Sequence, residues 1–174
     1  MQNSSGAALH SVVSEELLVS QAQGVLNLTM NRPKQRNALS SSLMEALSAS
    51  LLDAKTLNTV RVVIIRGAGP AFSAGHDLAE LRAASHDEAA LRAIFSRCSG
   101  LMQTIRDNPV PTIAAVSGAA HAAGCALAAS CDLVVADEVR ASFALPGLRI
   151  GVFCHTPAVE VVRALGGGAA GGGG

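Results

Sequence analysis

Residues 117–132 read SGAAHAAGCALAASCD, a turn of small residues that runs into a helix of small residues. The first N–H groups of a helix have no partner inside it and sit at its positive end, so they can grip a developing negative charge. No acid, lysine or hydroxyl occupies the first helical turn of this stretch. It reads as an oxyanion-binding turn without an adjacent proton-transfer group. A second small-residue turn lies upstream in Phe72-Ser73-Ala74-Gly75-His76-Asp77-Leu78.

Two other chemistries are open to these turns. Gly67-Ala68-Gly69 after the run VVIIR begins a dinucleotide fingerprint, but Phe72 stands at its third glycine position and Pro70 follows directly. Ala71-Phe72-Ser73-Ala74-Gly75 nearly spells an esterase elbow with Ser73 as nucleophile, and His121-Ala122-Ala123-Gly124 echoes an esterase oxyanion turn. The order is the reverse of the one α/β hydrolases use, and the first elbow glycine is missing.

Composition narrows the classes. The chain has 174 residues, with 13 basic against 13 acidic side chains and only four aromatic rings of the Phe, Tyr and Trp type. Neither a basic face nor a stacking platform for nucleic acid follows from that balance. The cysteines Cys98, Cys125, Cys131 and Cys154 lack paired metal-ligand spacing and read as small buried hydrophobes. Residues 108–131 carry no charge and are long enough to span a bilayer. Pro109, Pro111, Gly118, His121 and Gly124 make a buried strand–turn–helix the better reading. No Lys or Arg occurs in residues 1–31, which excludes a basic leader from that stretch.

The elements that must hold the turns are legible from periodicity. Val25–Met30 reads as a strand, and Val60–Arg66 as a β-branched strand covered on both faces. Ser42-x-x-Glu45 has capping-box spacing, and Leu43, Met44, Leu47, Leu51 and Leu52 form the apolar stripe of the helix that follows. Leu91, Ile94, Phe95, Cys98, Leu101, Met102 and Ile105 predict an amphipathic helix over 86–107. Thr112–Val116 and Leu133–Ala136 read as strands around a helix from Ala122 to Ser130. This alternation predicts an α/β fold with a largely parallel sheet. By composition, residues 1–14 form a flexible N-terminus, 15–165 the core and 166–174 a Gly/Ala tail.

Taken together, RPKQRNALS (32–40), FSAGHDL (72–78), PTIAAVSGAAHAAGCALAASCDLVVA (111–136) and SFALPGLRIG (142–151) resemble, in order and spacing, the enoyl-CoA hydratase/isomerase (crotonase) superfamily. Within it, the AAGC turn and LPGLRIGVFCHTPAV look nearest to the enoyl-CoA hydratase domain-containing protein 3 group. The resemblance implies a crotonase-like spiral of β-β-α units, incomplete at its C-terminus, that binds an acyl-CoA thioester in fatty-acid metabolism. It implies no cofactor beyond the coenzyme A of the substrate, and a homotrimer or hexamer when the domain is whole. A mitochondrial location is implied too, the cytoplasm being the alternative.

By motif position the resemblance puts the two oxyanion donors on the backbone N–H groups of His76 and Ala123. It assigns Lys34, Arg36, Ala38, Ala74, His76, Asp77, Leu78 and Gly124 to the acyl-CoA path. Hydratases of this kind use two glutamates, whose positions hold Ala126 and Gly147 here. Efficient hydration is therefore not expected. His155 is the candidate surrogate base, beside Cys154. The alternatives are a non-catalytic acyl-CoA-binding protein and the Ser73 esterase. Glu45, Glu80, Glu88 and Glu138 read as solvated charges.

Overall fold

The β-branched runs pair into a six-stranded sheet, and three short strands absent from the sequence reading build a second one. The computed structural model of the chain describes residues 9–147, 161–164 and 166. The large sheet has the order β1 (Leu9–Ser14), β2 (Leu17–Ala22), β3 (Val25–Met30), β4 (Val62–Gly67), β6 (Thr112–Val116) and β8 (Leu133–Ala136). β1, β2 and β3 pair antiparallel, whereas β3, β4, β6 and β8 are parallel. The small sheet sets β5 (Ala71–Ser73), β7 (Ala119–His121) and β9 (Ser142–Ala144) in parallel.

The connectivity is a repeated β-β-α unit. In each repeat the first strand joins the large sheet and the second joins the small one: β4 then β5, β6 then β7, β8 then β9. The helices are α1 (Ser41–Thr56), α2 (Leu78–Ala83), α3 (Glu88–Arg106) and α4 (Ala123–Ser130). Three short parallel strands, with a register shift between β5 and β7, put the chain that follows each of them at one end of the small sheet. That end collects the Ala74–His76 turn, the start of α4 and the Pro146–Gly147 segment.

Leu43, Met44, Leu47 and Leu51 of α1 pack with Ile94, Leu101, Met102 and Ile105 of α3 over the large sheet. Two members of the expected stripes depart. Leu52 is exposed, and so is Phe95, at 41%. The start of α1 also differs from the capping box read at Ser42. Ser40 is the N-cap and accepts the Leu43 N–H at 3.2 Å, while the Ser42 hydroxyl donates to Glu16. A serine with a nearby acceptor gives up the local cap when its neighbour takes the role.

Glu45 stays an exposed charge, whereas Glu80 is not a solvated one. Glu45 pairs with Arg97 at 2.7 Å. Glu80 accepts the Ser41 N–H at 3.0 Å and the Ser41 hydroxyl at 2.9 Å, a carboxylate set at the positive end of α1. The charge-free stretch 108–131 folds as β6, β7 and α4, and no described helix is long and apolar enough to cross a membrane. Along β8, Leu133, Val134, Val135 and Ala136 are all exposed.

Candidate functional site

The two small-residue turns meet. Gly75 has a φ of +98° and lies so near the start of α4 that a methyl group on it would reach Ala122 Cβ at 2.9 Å. Gly124 is equally tight: a methyl group there would run into the Ser73 carbonyl oxygen. Only glycine allows both approaches.

Ala122, the N-cap of α4, has φ 50° and ψ −122°, angles a glycine adopts freely and an alanine does not. Its N–H is held by the Ala144 carbonyl at 2.8 Å across the small sheet. Its carbonyl accepts the Cys125 and Ala126 N–H groups at 3.0 and 3.2 Å. These bonds fix the peptide between Ala122 and Ala123, and the N–H of that peptide is left over as the first free donor of the helix.

The other turn is framed from below by the loop 32–40. Ala74 N–H donates to Arg36 O at 3.0 Å, Leu39 N–H to Gly75 O at 2.8 Å, and Asp77 N–H to Leu39 O at 3.3 Å. This isolated bridge uses the amides on either side of His76 and leaves the His76 N–H out. Two backbone donors, His76 and Ala123, are therefore without acceptors among the described residues.

The His76 imidazole packs edge-on against Phe95, ring centroids 5.0 Å apart at 80°. Its Nδ1 is buried and has no hydrogen-bond partner among the described residues. Burial lowers its pKa beneath the usual 6.5 against the opposing pull of Glu80, so the ring is neutral at neutral pH. A groove of about 520 Å³ runs along α3 beside this pair and is lined by Leu91, Phe95, Ser99 and Gln103.

The remaining sequence candidates scatter. Lys34 and Arg36 are exposed on the 3-10 turn of Pro33–Gln35 and its cap. Ala38 is buried, and its carbonyl accepts Arg32 at 2.6 Å. Ala74 and Leu78 are exposed. Asp77 caps α2 through the Ala79 N–H at 2.9 Å and forms an ion pair with Arg32 at 2.8 Å, so its carboxylate serves the turn. His121 bonds Ser142 across the small sheet at 3.1 Å. Ala126 is 1% exposed inside α4, and Gly147 is buried beyond β9. Cys154 and His155 lie outside the described residues.

Ser73 is completely buried. Its hydroxyl donates to the Asn37 carbonyl at 2.8 Å and accepts the Gly75 N–H at 3.2 Å, which makes it a brace of the turn and removes it as an esterase nucleophile. Burial pushes the Cys98 and Cys131 thiols up to about 12, so both are inert.

Sequence reasoning missed the frame. Arg32 sits between Glu16 and Asp77, each at 2.8 Å, with only 14% of its side chain exposed. Asn37, fully buried at φ 53°, accepts the Arg32 N–H and donates to the carbonyls of Ala68 and Ala71. An asparagine between an arginine and a small residue was the available signal, since asparagine tolerates left-handed backbone and bonds its neighbours' peptides.

The enoyl-CoA hydratase/isomerase family model matches residues 20–172. Enoyl-CoA hydratase domain-containing protein 3, mitochondrial, of Danio rerio is 45% identical over 148 residues, covering 85% of this chain and 50% of that protein. Its Homo sapiens counterpart is 44% identical over 149 residues, covering 83% of this chain and 47% of that protein. The crystal structure of the human protein superposes with a TM-score of 0.81 at 41% identity, covering 87% of this chain and 61% of that one. The chain thus spans about half the length of the curated relatives it matches.

Proposed function

The chain belongs to the enoyl-CoA hydratase/isomerase family, and on that premise we propose that it holds an acyl-CoA thioester with the carbonyl oxygen between the backbone N–H groups of His76 and Ala123. The observation that carries this reading is the meeting of the two turns, with both donors lacking acceptors among the described residues and Gly75 keeping side-chain atoms out of the space between them. Amides fixed in this way stabilise an oxyanion without rearranging. Removing one such donor from an enzyme costs about 3–4 kcal/mol of transition-state stabilisation.

The same arrangement argues against efficient hydration. Position 126 is an alanine packed in the core and position 147 a buried glycine, so neither supplies a carboxylate to activate water. Positioned acid–base groups contribute about 10²–10⁴-fold each. His155 remains the proposed surrogate base. The exposed Lys34 and Arg36 are proposed to meet the phosphates of coenzyme A, with Ala38, Ala74, Leu78 and Gly124 along the path. Mitochondrial location follows the names of the relatives, and a homotrimer or hexamer is the proposed assembly.

Calorimetric binding and turnover over a panel of enoyl-, acyl- and malonyl-CoA test the reading. Micromolar binding that is lost in Ala123→Pro is expected. Proline deletes the donor, places its ring carbon toward Gly75 and disfavours the Ala122 angles. Unchanged affinity in folded Ala123→Pro would sink the proposal. Turnover in the wild type makes the chain an enzyme; binding alone makes it a carrier or regulatory subunit.

A further inference from the structure

Ser73 touches both turns. It is completely buried as the last residue of β5, and a methyl group on Gly124, the second residue of α4, would stand 2.8 Å from its Cβ. On the other side, its hydroxyl donates to the Asn37 carbonyl at 2.8 Å and accepts the Gly75 N–H at 3.2 Å. A hydroxyl has one hydrogen, and once that is committed the directions left for its lone pairs are set. The Asn37 carbonyl therefore decides how the Gly75 N–H is received. Asn37 is itself fixed, because its side chain bonds the Arg32 N–H and the carbonyls of Ala68 and Ala71.

The amide that Ser73 holds is the one before the free donor. The Gly75 N–H belongs to the peptide of Ala74 and Gly75, and the His76 N–H to the peptide of Gly75 and His76. That second plane is held directly only through the Gly75 carbonyl, which accepts the Leu39 N–H at 2.8 Å. A trans peptide sends its N–H opposite its C=O, so any rocking about that one bond swings the His76 N–H. Glycine has no Cβ to resist the swing, and residue 75 stands at φ +98°. Beyond His76, the Asp77 N–H reaches Leu39 O at 3.3 Å, the longest bond of this frame. The firmer restraint comes from the other side of the glycine, and it is the serine hydroxyl.

We infer that Ser73 is a positioning residue for the oxyanion site: its hydroxyl ties Gly75 to Asn37 beside the start of α4 and so sets the direction of the His76 N–H relative to that of Ala123. This rests on the oxyanion reading given above and adds a residue to it. Being fully buried, Ser73 acts through the glycine and touches no ligand itself. Filling space takes only its Cβ, whereas aiming the donor takes the hydroxyl, and the two roles separate by experiment.

The test compares butyryl-CoA with its thioether analogue S-butyl-CoA, which lacks the carbonyl oxygen, in wild type, Ser73→Ala and Ser73→Cys. All three forms keep both backbone N–H groups. Calorimetry gives the preference for thioester over thioether. Infrared difference spectra of butyryl-CoA labelled with carbon-13 at the carbonyl give the stretching frequency of the bound group, which falls as its oxygen accepts stronger hydrogen bonds. In the wild type the preference should be about tenfold or more, as two well-aimed neutral donors provide, with the band below its position in water. Ser73→Ala is expected to lose most of that preference and to return the band toward its position in water, with S-butyl-CoA affinity unchanged. The thiol of Ser73→Cys is a weak donor and a weak acceptor, so this variant should fall between the other two, and it carries the test if Ser73→Ala does not fold. A wild-type preference and band in either folded variant would overturn the inference and leave the oxyanion reading standing. Equal weakening of both ligands would do the same, because it makes Ser73 a packing element. A wild type with neither preference nor band displacement overturns both.

Discussion

A methyl group placed on Gly75 would stand 3.1 Å from the backbone nitrogen of Ala123. Residues 48 positions apart in the sequence thus share one small space, and its emptiness is the functional property. Gly75→Ala is expected to fill it. The left-handed φ of +98° adds strain of about 1–3 kcal/mol. Chemical denaturation should show that loss, and calorimetry should show acyl-CoA affinity reduced at least tenfold. Wild-type affinity in the folded variant would mean the thioester lies elsewhere.

Ala122 holds glycine-like angles that orient the Ala123 amide. Ala122→Gly should relieve the strain and stabilise the fold by about 0.5–1 kcal/mol after the extra chain entropy of glycine is counted. For a chain of this size that raises Tm by about 2–3 °C. A drop in Tm would show that the alanine methyl contributes packing that outweighs the strain.

Arg32→Ala removes the partner of two carboxylates and of the Ala38 carbonyl, at an expected cost of about 2–4 kcal/mol. Burial pushes the pKa of Asp77 and Glu16 up, but the hydrogen bond from Arg32 to Asp77, and those from Ser42 and Ser40 to Glu16, outweigh it, and both lie below their ordinary 3.8 and 4.5. A carboxylate with a lowered folded pKa adds stability above its unfolded value and loses it as pH falls through the folded one. Wild-type stability should therefore decline on acidification below about pH 4.5, and the decline should be shallower in Arg32→Ala. Equal loss of stability on acidification in wild type and Arg32→Ala would refute that assignment.

For His76 the sign is the same but the pH window is higher. Burial lowers the folded pKa of a base, so the unfolded chain binds the proton first and stability falls as pH drops below about 6.5. The fall ends once the folded pKa is passed. His76→Phe should flatten the stability profile in that window. An unchanged slope would place the titration on another histidine.

Ala126→Glu combined with Gly147→Glu should raise crotonyl-CoA hydration at least tenfold if the scaffold lacks only its acids. Ala126 is packed within α4, so overpacking of about 1–3 kcal/mol is expected in the single variant. A folded, ligand-binding double variant with no gain would show that the pocket differs at more than these two positions.

Much of the fold was legible where periodicity was long or β-branched. Val25–Met30, Thr112–Val116 and Leu133–Ala136 have the bounds expected of them, and α3 lies within two residues of its reading at either end. The small sheet was not legible. Ala71–Ser73, Ala119–His121 and Ser142–Ala144 are three residues each, too short to show alternation, and their register depends on one another. The frame of the first turn was hidden for the same reason, because Arg32, Asp77 and Glu16 meet only after β2, β3 and α2 are placed. Phe95 was read as core from its spacing. Its exposure, against the stripe it belongs to, is where the local pattern gives way to contact with His76.

The last parallel strand has a practical consequence. β8 presents Leu133, Val134 and Val135 to water along an edge of the large sheet. Paired on one side only with β6 among the described residues, apolar and rich in valine, it is a template on which another strand can grow. Solubility of the isolated polypeptide should fall steeply with concentration, ahead of any loss of fold. Val135→Lys places a gatekeeper charge in that strand, outside both turns, and should delay light scattering.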